Sequence, residues 1–173
     1  MNKVFVSYSS VDRPFVMELK AALESFSFDV WVDKESILPG QYYAGVIPKP
    51  IREADVFLLV MSASSIGDKK NNIVGSEEVA KEVVLAQHSS AIKIPIALDD
   101  CWLKDNATHD EINYLLALSQ CLDAKYCETT ADYCNVALQI KNSLDNKSFV
   151  FSYITTLKEI ERLLQKGEFC KAK

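Results

Sequence analysis

Short apolar runs alternate with longer stretches of helical periodicity about five times in this chain, and this alternation restricts the folds open to it. The clearest run is Asp55–Met61, which is short, almost wholly apolar and bounded by polar residues. Such a run is typical of a strand buried on both faces of a parallel sheet. Parallel strands need crossover connections, which are right-handed, so the pattern predicts a doubly wound α/β sheet flanked by helices.

The same patterns assign most of the chain to individual elements. The predicted strands are Val4–Val6, Phe28–Val32, Asp55–Met61, Ile92–Leu98 and Cys121–Ala124. The predicted helices are Phe15–Phe26, Tyr42–Ala54, Ser76–His88, Glu111–Leu118 and Thr130–Leu144. Asp12 is expected to cap the first helix, and the second is expected to be short or distorted because Pro48 and Pro50 would interrupt it. A long loop is predicted over residues 62–75.

The segment after the last predicted helix differs from the rest of the chain. The polar stretch Asp145–Ser148 is typical of a linker, and apolar residues at helical spacing follow it from Val150 to Leu164. We therefore expect an α/β domain over residues 1–145 and a helical extension over residues 146–173. The extension is interpreted as a packed terminal helix, a dimerisation helix or the beginning of a neighbouring module.

Composition narrows the class of protein. The 24 acidic and 19 basic residues give a net charge of −5, which disfavours a nucleic-acid partner because phosphate binding usually needs a basic surface. No apolar run reaches about 18 residues and no signal peptide is evident, so no membrane association is expected. Five cysteines without a CxxC pair indicate neither a disulfide framework nor a zinc site, and a reducing, cytoplasmic setting is expected.

Doubly wound sheets bind ligands beyond the carboxyl ends of their strands, which directs attention to four segments. They are Ser7–Asp12, Asp33–Tyr43, Ser62–Ser76 and the residues from Asp99 onward. The sequence contains neither the phosphate loops GxGxxG and GxxxxGK[ST] nor the GxSxG of α/β-hydrolases. Carboxylates remain as candidates: Asp33, and also Glu78 and Glu82, whose spacing places them on one face of a helix.

Six blocks, in order, resemble the Toll/interleukin-1 receptor (TIR) domain family. They are VFVSYSSVDRPFVMELKAALE, FDVWVDKESILPGQYY, ADVFLLVMSASSI, SEEVAKEVVLA, IKIPIALDD and LLALSQCLDA. The similarity covers about residues 2–145, and the helical extension lies outside it. It implies a flavodoxin-like, doubly wound sheet of about five parallel strands, in agreement with the alternation described above.

Many members of this family cleave NAD⁺ as glycohydrolases or cyclases, and the resemblance implies that activity here. Their catalytic residue is the glutamate of the helix after the third strand, which corresponds to Glu82. The residues for which the resemblance implies substrate binding are Tyr8, Ser9, Asp33, Tyr42 and Glu78. Glu78 is a departure, because many active members have a tryptophan there. NAD⁺ is the substrate, so neither a cofactor nor a metal is expected.

Two other functions stay open. One is a non-catalytic module that acts through TIR–TIR self-association, and Glu78 and the paired prolines leave room for it. The other is a different nucleoside-processing enzyme of flavodoxin-like fold, such as a deoxyribosyltransferase, which also uses a glutamate. For an NAD⁺-cleaving enzyme, the resemblance implies a self-associating protein of bacterial antiphage defence, with a downstream effector protein that senses the product.

Overall fold

The computed structural model of the chain describes residues 1–32, 48–102 and 106–145. Its centre is a parallel sheet with the strand order β2-β1-β3-β4-β5, so the predicted flavodoxin-like, doubly wound fold is confirmed. The strands are β1 Lys3–Ser7, β2 Asp29–Val32, β3 Val56–Met61, β4 Ile92–Ala97 and β5 Leu122–Asp123. The helices are α1 Arg13–Ser25, α2 Pro48–Glu53, α3 Ala63–Ile66, α4 Glu77–Gln87, α5 Asp110–Leu118 and α6 over residues 130–145. None of these helices is long and apolar enough to cross a membrane.

The strand order reverses at β1, which lies between β2 and β3. Val6 is aligned with Val32 on one side and with Leu58 on the other, and both pairings are parallel. The chain leaves β1 for β2 in one direction and later returns to β3 in the other. In sheets of this kind the crevice beyond the carboxyl ends of the strands at such a reversal is the usual ligand site.

A stack of aromatic side chains joins the three strands at this reversal. Phe5, Trp31 and Phe57 occupy the same register position on β1, β2 and β3. The centroid of the Phe5 ring lies 5.0 Å from that of Trp31 and 5.6 Å from that of Phe57, with the rings close to parallel. Such cross-strand contacts stabilise the pairing of neighbouring strands and fix their register. The aromatic stack therefore fixes the positions of the strands whose ends carry the candidate site.

Helix α2 is described over the second half of the predicted helix Tyr42–Ala54. The described stretch is Pro48–Glu53, and it includes both prolines. The expectation that the prolines make this helix short or distorted stays a prediction, because residues 42–47 of the predicted helix lie outside the described residues.

The stretch 62–75, predicted as a loop, is partly helical. Helix α3 occupies Ala63–Ile66, and a 3-10 turn follows at Lys69–Asn71. Ser62 caps α3: its hydroxyl accepts from the N–H of Ser65 over 3.2 Å, and its own N–H donates to the Ser65 hydroxyl over 2.8 Å. The loop prediction was wrong here because hydrophobic periodicity does not register local capping bonds of this kind.

The chain divides into two compact units, Met1–Leu138 and Gln139–Lys173. The first contains the whole sheet and helices α1 to α5. The second is described only over residues 139–145, which are helical. The domain boundary predicted between residues 145 and 146 stays a prediction, and the predicted terminal helix lies outside the described residues.

Candidate active site

A buried hydrogen bond joins the end of β1 to helix α4. Ser7, the last residue of β1, donates from its Oγ to Oε2 of Glu82 over 2.6 Å. The exposed fraction is 0% for Ser7 and 4% for Glu82. A separation of 2.6 Å is typical of a charge-assisted bond between a hydroxyl and a carboxylate. The residue predicted to be catalytic therefore lies at the carboxyl edge of the sheet, in contact with a strand end.

Helix α4 places Glu82 on its inner side. The helix begins after Ser76, whose hydroxyl accepts from the N–H of Val79 over 3.4 Å. Glu82 is buried along the helix together with the apolar side chains of Val79, Val83 and Ala86. Burial of a carboxylate among apolar groups opposes folding unless hydrogen bonds compensate. Groups that break the rules of packing in this way are expected mainly at functional sites.

Glu78 lies one helical turn before Glu82, in a different environment. It is exposed, and its Oε2 accepts from the hydroxyl of Ser76 over 3.1 Å. Its carboxylate thus joins the N-terminal turn of α4, where negative charge is favoured by the helix dipole. Of the three glutamates on this helix, Glu82 is the one that bonds the residue at the end of β1.

The residues after β1 form a short turn at the same edge of the sheet. Tyr8 is buried, and its phenol oxygen accepts from Nη1 of Arg13 over 3.2 Å. Ser9 is half-buried and precedes the 3-10 turn Ser10–Asp12, with its carbonyl accepting from the N–H of Asp12 over 2.8 Å. The structure therefore brings Tyr8 and Ser9 to the strand end that also carries the Glu82 contact. The other two predicted substrate-binding residues, Asp33 and Tyr42, lie outside the described residues.

A second buried pair of serine and carboxylate links the segments after β1 and β3. Ser62 Oγ donates to Oδ2 of Asp12 over 2.7 Å, and these residues are 8% and 9% exposed. The predicted capping role of Asp12 is wrong as regards its side chain, which bonds Ser62 and makes no cap bond to α1. Burial raises the pKa of Asp12, with a further upward contribution from the Asp99 charge, against the opposing hydrogen bond from Ser62. Asp99 in turn accepts from the N–H of Ala63 over 2.9 Å.

The segment between α3 and α4 is held by side chains that follow β4. Asp68 accepts from Nδ2 of Asn106 over 2.8 Å and from Nδ2 of Asn71 over 2.6 Å. Hydrogen bonds from these two amides hold the pKa of Asp68 below its ordinary value, and the bond from Asn106 contributes most. Gly67 has a φ of +83°, and a Cβ there would lie 2.3 Å from Oγ1 of Thr108. The approach to α4 is therefore tightly packed and depends on a glycine.

The thiol groups near this edge are unsuited to nucleophilic chemistry. Burial raises the pKa of Cys121 to about 11, and it also raises the pKa of the buried Cys101 thiol far above its ordinary range. Little thiolate forms at neutral pH under these conditions, and the thiolate is the reactive species. Among the residues that the structure describes, no group of three or more His, Cys, Asp or Glu side chains is placed to hold a metal ion.

Sequence reasoning did not select three residues that the structure places at this edge: Ser7, Asp12 and Ser62. All three lie in the segments predicted to border a ligand. A signal was available for Ser7, because it is the first polar residue after the buried run of β1 and must lie at the carboxyl end of that strand. Its contact with Glu82, 75 positions away, depends on tertiary packing and has no signature in a single sequence.

Solved structures of similar fold include a TIR domain of the Toll-related receptor TRR-2 from Hydra magnipapillata. It shares 24% identity, with a TM-score of 0.56, and the match covers 82% of this chain and 97% of that one. The TIR domains of the activated Roq1 resistosome, which recognises the effector XopQ, give 16% identity, a TM-score of 0.62 and coverages of 80% and 98%. The CMP N-glycosidase BcmB of Clostridium botulinum shares 14% identity with a TM-score of 0.52, and the match covers 81% of this chain and 99% of that one. At these identities the likeness concerns the fold alone.

A family model agrees with this likeness at the level of sequence. None of the curated proteins matches the chain. The model described as "TIR domain" matches residues 4–130, a span that contains helices α1 to α5 and the five strands, except for the first residue of β1. The match includes every described residue of the candidate site, and it covers well over half of the sequence. The chain therefore belongs to the TIR domain family.

Proposed function

We propose that this TIR domain cleaves the bond between nicotinamide and ribose in NAD⁺, as a glycohydrolase or a cyclase, with Glu82 as the catalytic residue. The observation that carries the proposal is the buried Glu82 carboxylate, held by Ser7 over 2.6 Å at the strand ends where doubly wound folds bind ligands. Membership of the TIR family supports it, because this is the activity and the position that the sequence resemblance implies.

The chemistry needs only one carboxylate. When the bond between C1′ of the ribose and the nicotinamide nitrogen breaks, its electron pair leaves with nicotinamide, which becomes neutral and needs no proton. The ribose is left with oxocarbenium-like positive charge, as in glycoside cleavage. Glu82, as an anion in a site of low dielectric, stabilises this charge and accepts hydrogen bonds from ribose hydroxyls. Water then adds to C1′ and releases a proton to give ADP-ribose, or an adenine nitrogen adds to give a cyclic ADP-ribose.

Substrate contacts are assigned to the same five residues as the resemblance implies. Tyr8 and Ser9 follow β1 at the edge that carries Glu82, and in this proposal they border the nicotinamide riboside. Asp33 directly follows the last residue of β2, and Tyr42 supplies an aromatic ring for stacking. Glu78 begins the helix that carries Glu82, and it replaces the tryptophan of many active members.

The proposal includes self-association through TIR–TIR contacts, which the assembled TIR domains of the Roq1 resistosome support by analogy. In the role that the resemblance implies, the protein acts in the bacterial cytoplasm in antiphage defence. It would either deplete NAD⁺ or release a cyclic product for a downstream effector protein.

A second candidate is an N-glycosidase for a smaller nucleotide or nucleoside. The structural likeness to BcmB favours it, because that protein is named a CMP N-glycosidase and so breaks an N-glycosidic bond on this fold. Both candidates use a carboxylate against the same type of transition state and differ in substrate alone. A non-catalytic TIR module is the alternative to both.

The test is turnover by the purified protein at high concentration, so that self-association is favoured. NAD⁺, CMP and deoxynucleosides are incubated separately with the wild type, Glu82→Gln, Glu82→Ala and Glu77→Gln, and released base and products are separated by chromatography. Glu77 is the matched control, since it is an exposed glutamate of the same helix that pairs with Lys81 over 3.6 Å.

We expect nicotinamide release from NAD⁺ by the wild type and by Glu77→Gln, with a loss of about a hundred-fold or more in both Glu82 variants. Release of cytosine or another base in preference to nicotinamide would establish the second candidate. Absence of turnover on every substrate, in dilute and in concentrated protein, would leave the non-catalytic module. Equal turnover by the wild type and the Glu82 variants would remove only the assignment of Glu82.

A further inference from the structure

We propose that Ser7 is a positioning residue for the reaction: its hydroxyl holds the Glu82 carboxylate ionised and in one orientation beneath the substrate ribose. This inference rests on the proposed function and adds to it a residue for which the family resemblance implied no role. Ser7 does not touch the substrate in this account and acts through Glu82.

The hydroxyl of Ser7 is well suited to hold another side chain in place. Ser7 ends β1, which is paired on both sides, and it is aligned with Leu59 of the fully buried strand β3. A serine has a single side-chain torsion before its oxygen, so a rigid backbone gives a rigid hydroxyl. Glutamate has three torsions, and without a fixed donor a carboxylate at the end of such a chain samples several orientations.

In this proposal the bond from Ser7 also favours the anionic form of Glu82 that the reaction needs. Burial to 4% exposure opposes the ionised carboxylate, because low-dielectric surroundings favour the neutral form. A short bond from a hydroxyl to the anion acts in the opposite direction. The proposed reaction needs the anion, since only a negative charge stabilises an oxocarbenium-like ribose. A carboxylate has room for several donors, so it can bond Ser7 through Oε2 and still accept from ribose hydroxyls.

A purely structural role is the competing account, in which the same bond merely fastens α4 to β1. Loss of the hydroxyl has different consequences in the two cases. A structural bond lowers the free energy of unfolding and leaves the pH dependence of turnover unchanged in the protein that is folded. If the bond positions Glu82, its loss lowers kcat and moves the acid limb of the pH–rate profile to higher pH, because a carboxylate that has lost one hydrogen-bond donor takes up a proton more readily.

The experiment is a double-mutant cycle on the full chain, with nicotinamide release from NAD⁺ as the readout. The proteins are the wild type, Ser7→Ala, Ser7→Thr, Glu82→Gln and Ser7→Ala combined with Glu82→Gln. Ser62→Ala is the matched control, because it removes a buried serine hydroxyl that donates over 2.7 Å to a carboxylate at the same sheet edge. Thermal unfolding of each protein shows which of them are folded at the assay temperature.

For Ser7→Ala we expect a loss of about ten-fold or more in kcat, KM within about two-fold of the wild type, and an acid limb at higher pH. Ser7→Thr, which retains the hydroxyl, recovers most of the rate and the wild-type profile. In the Glu82→Gln background the Ser7→Ala change has no further effect on the residual rate, because both changes disable one unit. Ser62→Ala keeps the wild-type shape of the profile.

Other outcomes overturn the inference in distinguishable ways. If Glu82→Gln loses activity but Ser7→Ala keeps the wild-type kcat and profile, Ser7 has no positioning role and the proposed function stands. If Ser7→Ala and Glu82→Gln lower the rate additively, Ser7 does not act through Glu82. Should Ser7→Thr fail to fold, the cycle with Ser7→Ala decides alone. If the wild type releases no nicotinamide, the proposed function fails and the role of Ser7 in that reaction fails with it.

Discussion

Two buried serine–carboxylate pairs stand at the same edge of this sheet and differ in what surrounds them. Ser7 and Glu82 are joined over 2.6 Å, and Ser62 and Asp12 over 2.7 Å. The first pair connects a strand end to the middle of an eleven-residue helix. The second connects two loop segments, and its serine also caps helix α3. Hydrogen bonds of nearly the same length therefore join different kinds of element in the two pairs.

The difference indicates that the two pairs have different roles. In the Ser62–Asp12 pair the two groups also bond neighbouring backbone, since Ser62 exchanges bonds with Ser65 and the Asp12 carboxylate accepts a hydrogen bond from the backbone of Ser9. Removal of either partner should disturb the course of the chain. In the Ser7–Glu82 pair the strand and the helix are defined by their own hydrogen bonds and core packing. The Glu82 carboxylate is therefore expected to matter for chemistry more than for folding.

The largest predicted effect separates the two carboxylates by activity. Glu82→Gln keeps the shape of the side chain and an oxygen that can accept from Ser7, so its free energy of unfolding should stay within about 1 kcal/mol of the wild type. Its rate of nicotinamide release should fall by about 10²–10³, which is about 3–4 kcal/mol of transition-state stabilisation. Asp12→Asn should lower the rate by less than about five-fold. Steady-state assays and urea unfolding of both variants check these expectations. A larger loss of rate in Asp12→Asn than in Glu82→Gln would contradict the different roles assigned to the two pairs.

How far the sequence leads can be judged from these same residues. Glu82 was predicted because a glutamate in that helix belongs to a recognised motif, and the α/β fold followed from the alternation of apolar runs such as Asp55–Met61. The partners of the carboxylates were not predictable. The Ser7–Glu82 and Asp12–Ser62 contacts bridge 75 and 50 positions and arise only when strands β1 and β3 lie side by side. Periodicity describes which face of an element is buried and does not describe what a buried polar group meets there.

Local polar geometry limited the prediction in a second way. The helix over Ala63–Ile66 was missed because it is stabilised by the cap at Ser62 and has too few residues to show a period.

The segment that connects the two pairs offers the next test. Gly67 lies between Ser62 and α4 at φ +83°, and a Cβ there would lie 2.3 Å from Thr108 Oγ1 and 2.8 Å from the backbone nitrogen of Gly75. Gly67→Ala should lower the free energy of unfolding by about 2–3 kcal/mol, because it adds both backbone strain and overpacking. Urea unfolding measures the loss. Asn72→Gly is the matched control in the same segment, since Asn72 has φ +55° and glycine adopts that conformation freely. Its change should stay below about 1 kcal/mol, and a loss as large as that of Gly67→Ala would point to general sensitivity of the segment.

A smaller effect compares the two serines by stability. Ser62→Ala removes the cap of α3 and the donor to buried Asp12, and it should lower the free energy of unfolding by about 1–2 kcal/mol. Ser7→Ala should cost about 1 kcal/mol or less, since the strand and helix that it joins are held by other contacts. Chemical unfolding of the two variants under the same conditions gives the ranking. A larger loss of stability in Ser7→Ala than in Ser62→Ala would show that the bond to Glu82 contributes substantially to the stability of the fold.

The smallest predicted effect is a dependence of stability on pH that should carry opposite signs at two aspartates. Burial raises the pKa of Asp12 above its ordinary value of 3.8, so in that pH range the folded protein binds more protons at this site than the unfolded chain. The contribution of Asp12 to stability is therefore fully present below pH 3.8 and is lost as the pH rises through the higher folded pKa.

Asp132 is the control: bonds from the backbone and hydroxyl of Thr129 lower its pKa, so its contribution is present above pH 3.8 and is lost as the pH falls. The free energy of unfolding of the wild type minus that of Asp12→Asn should decrease as the pH rises from 3.8, and the same difference for Asp132→Asn should increase as the pH rises towards 3.8. Equal slopes for the two aspartates would contradict this prediction, because they would show that hydrogen bonds offset the burial of the Asp12 carboxylate as fully as they do at Asp132.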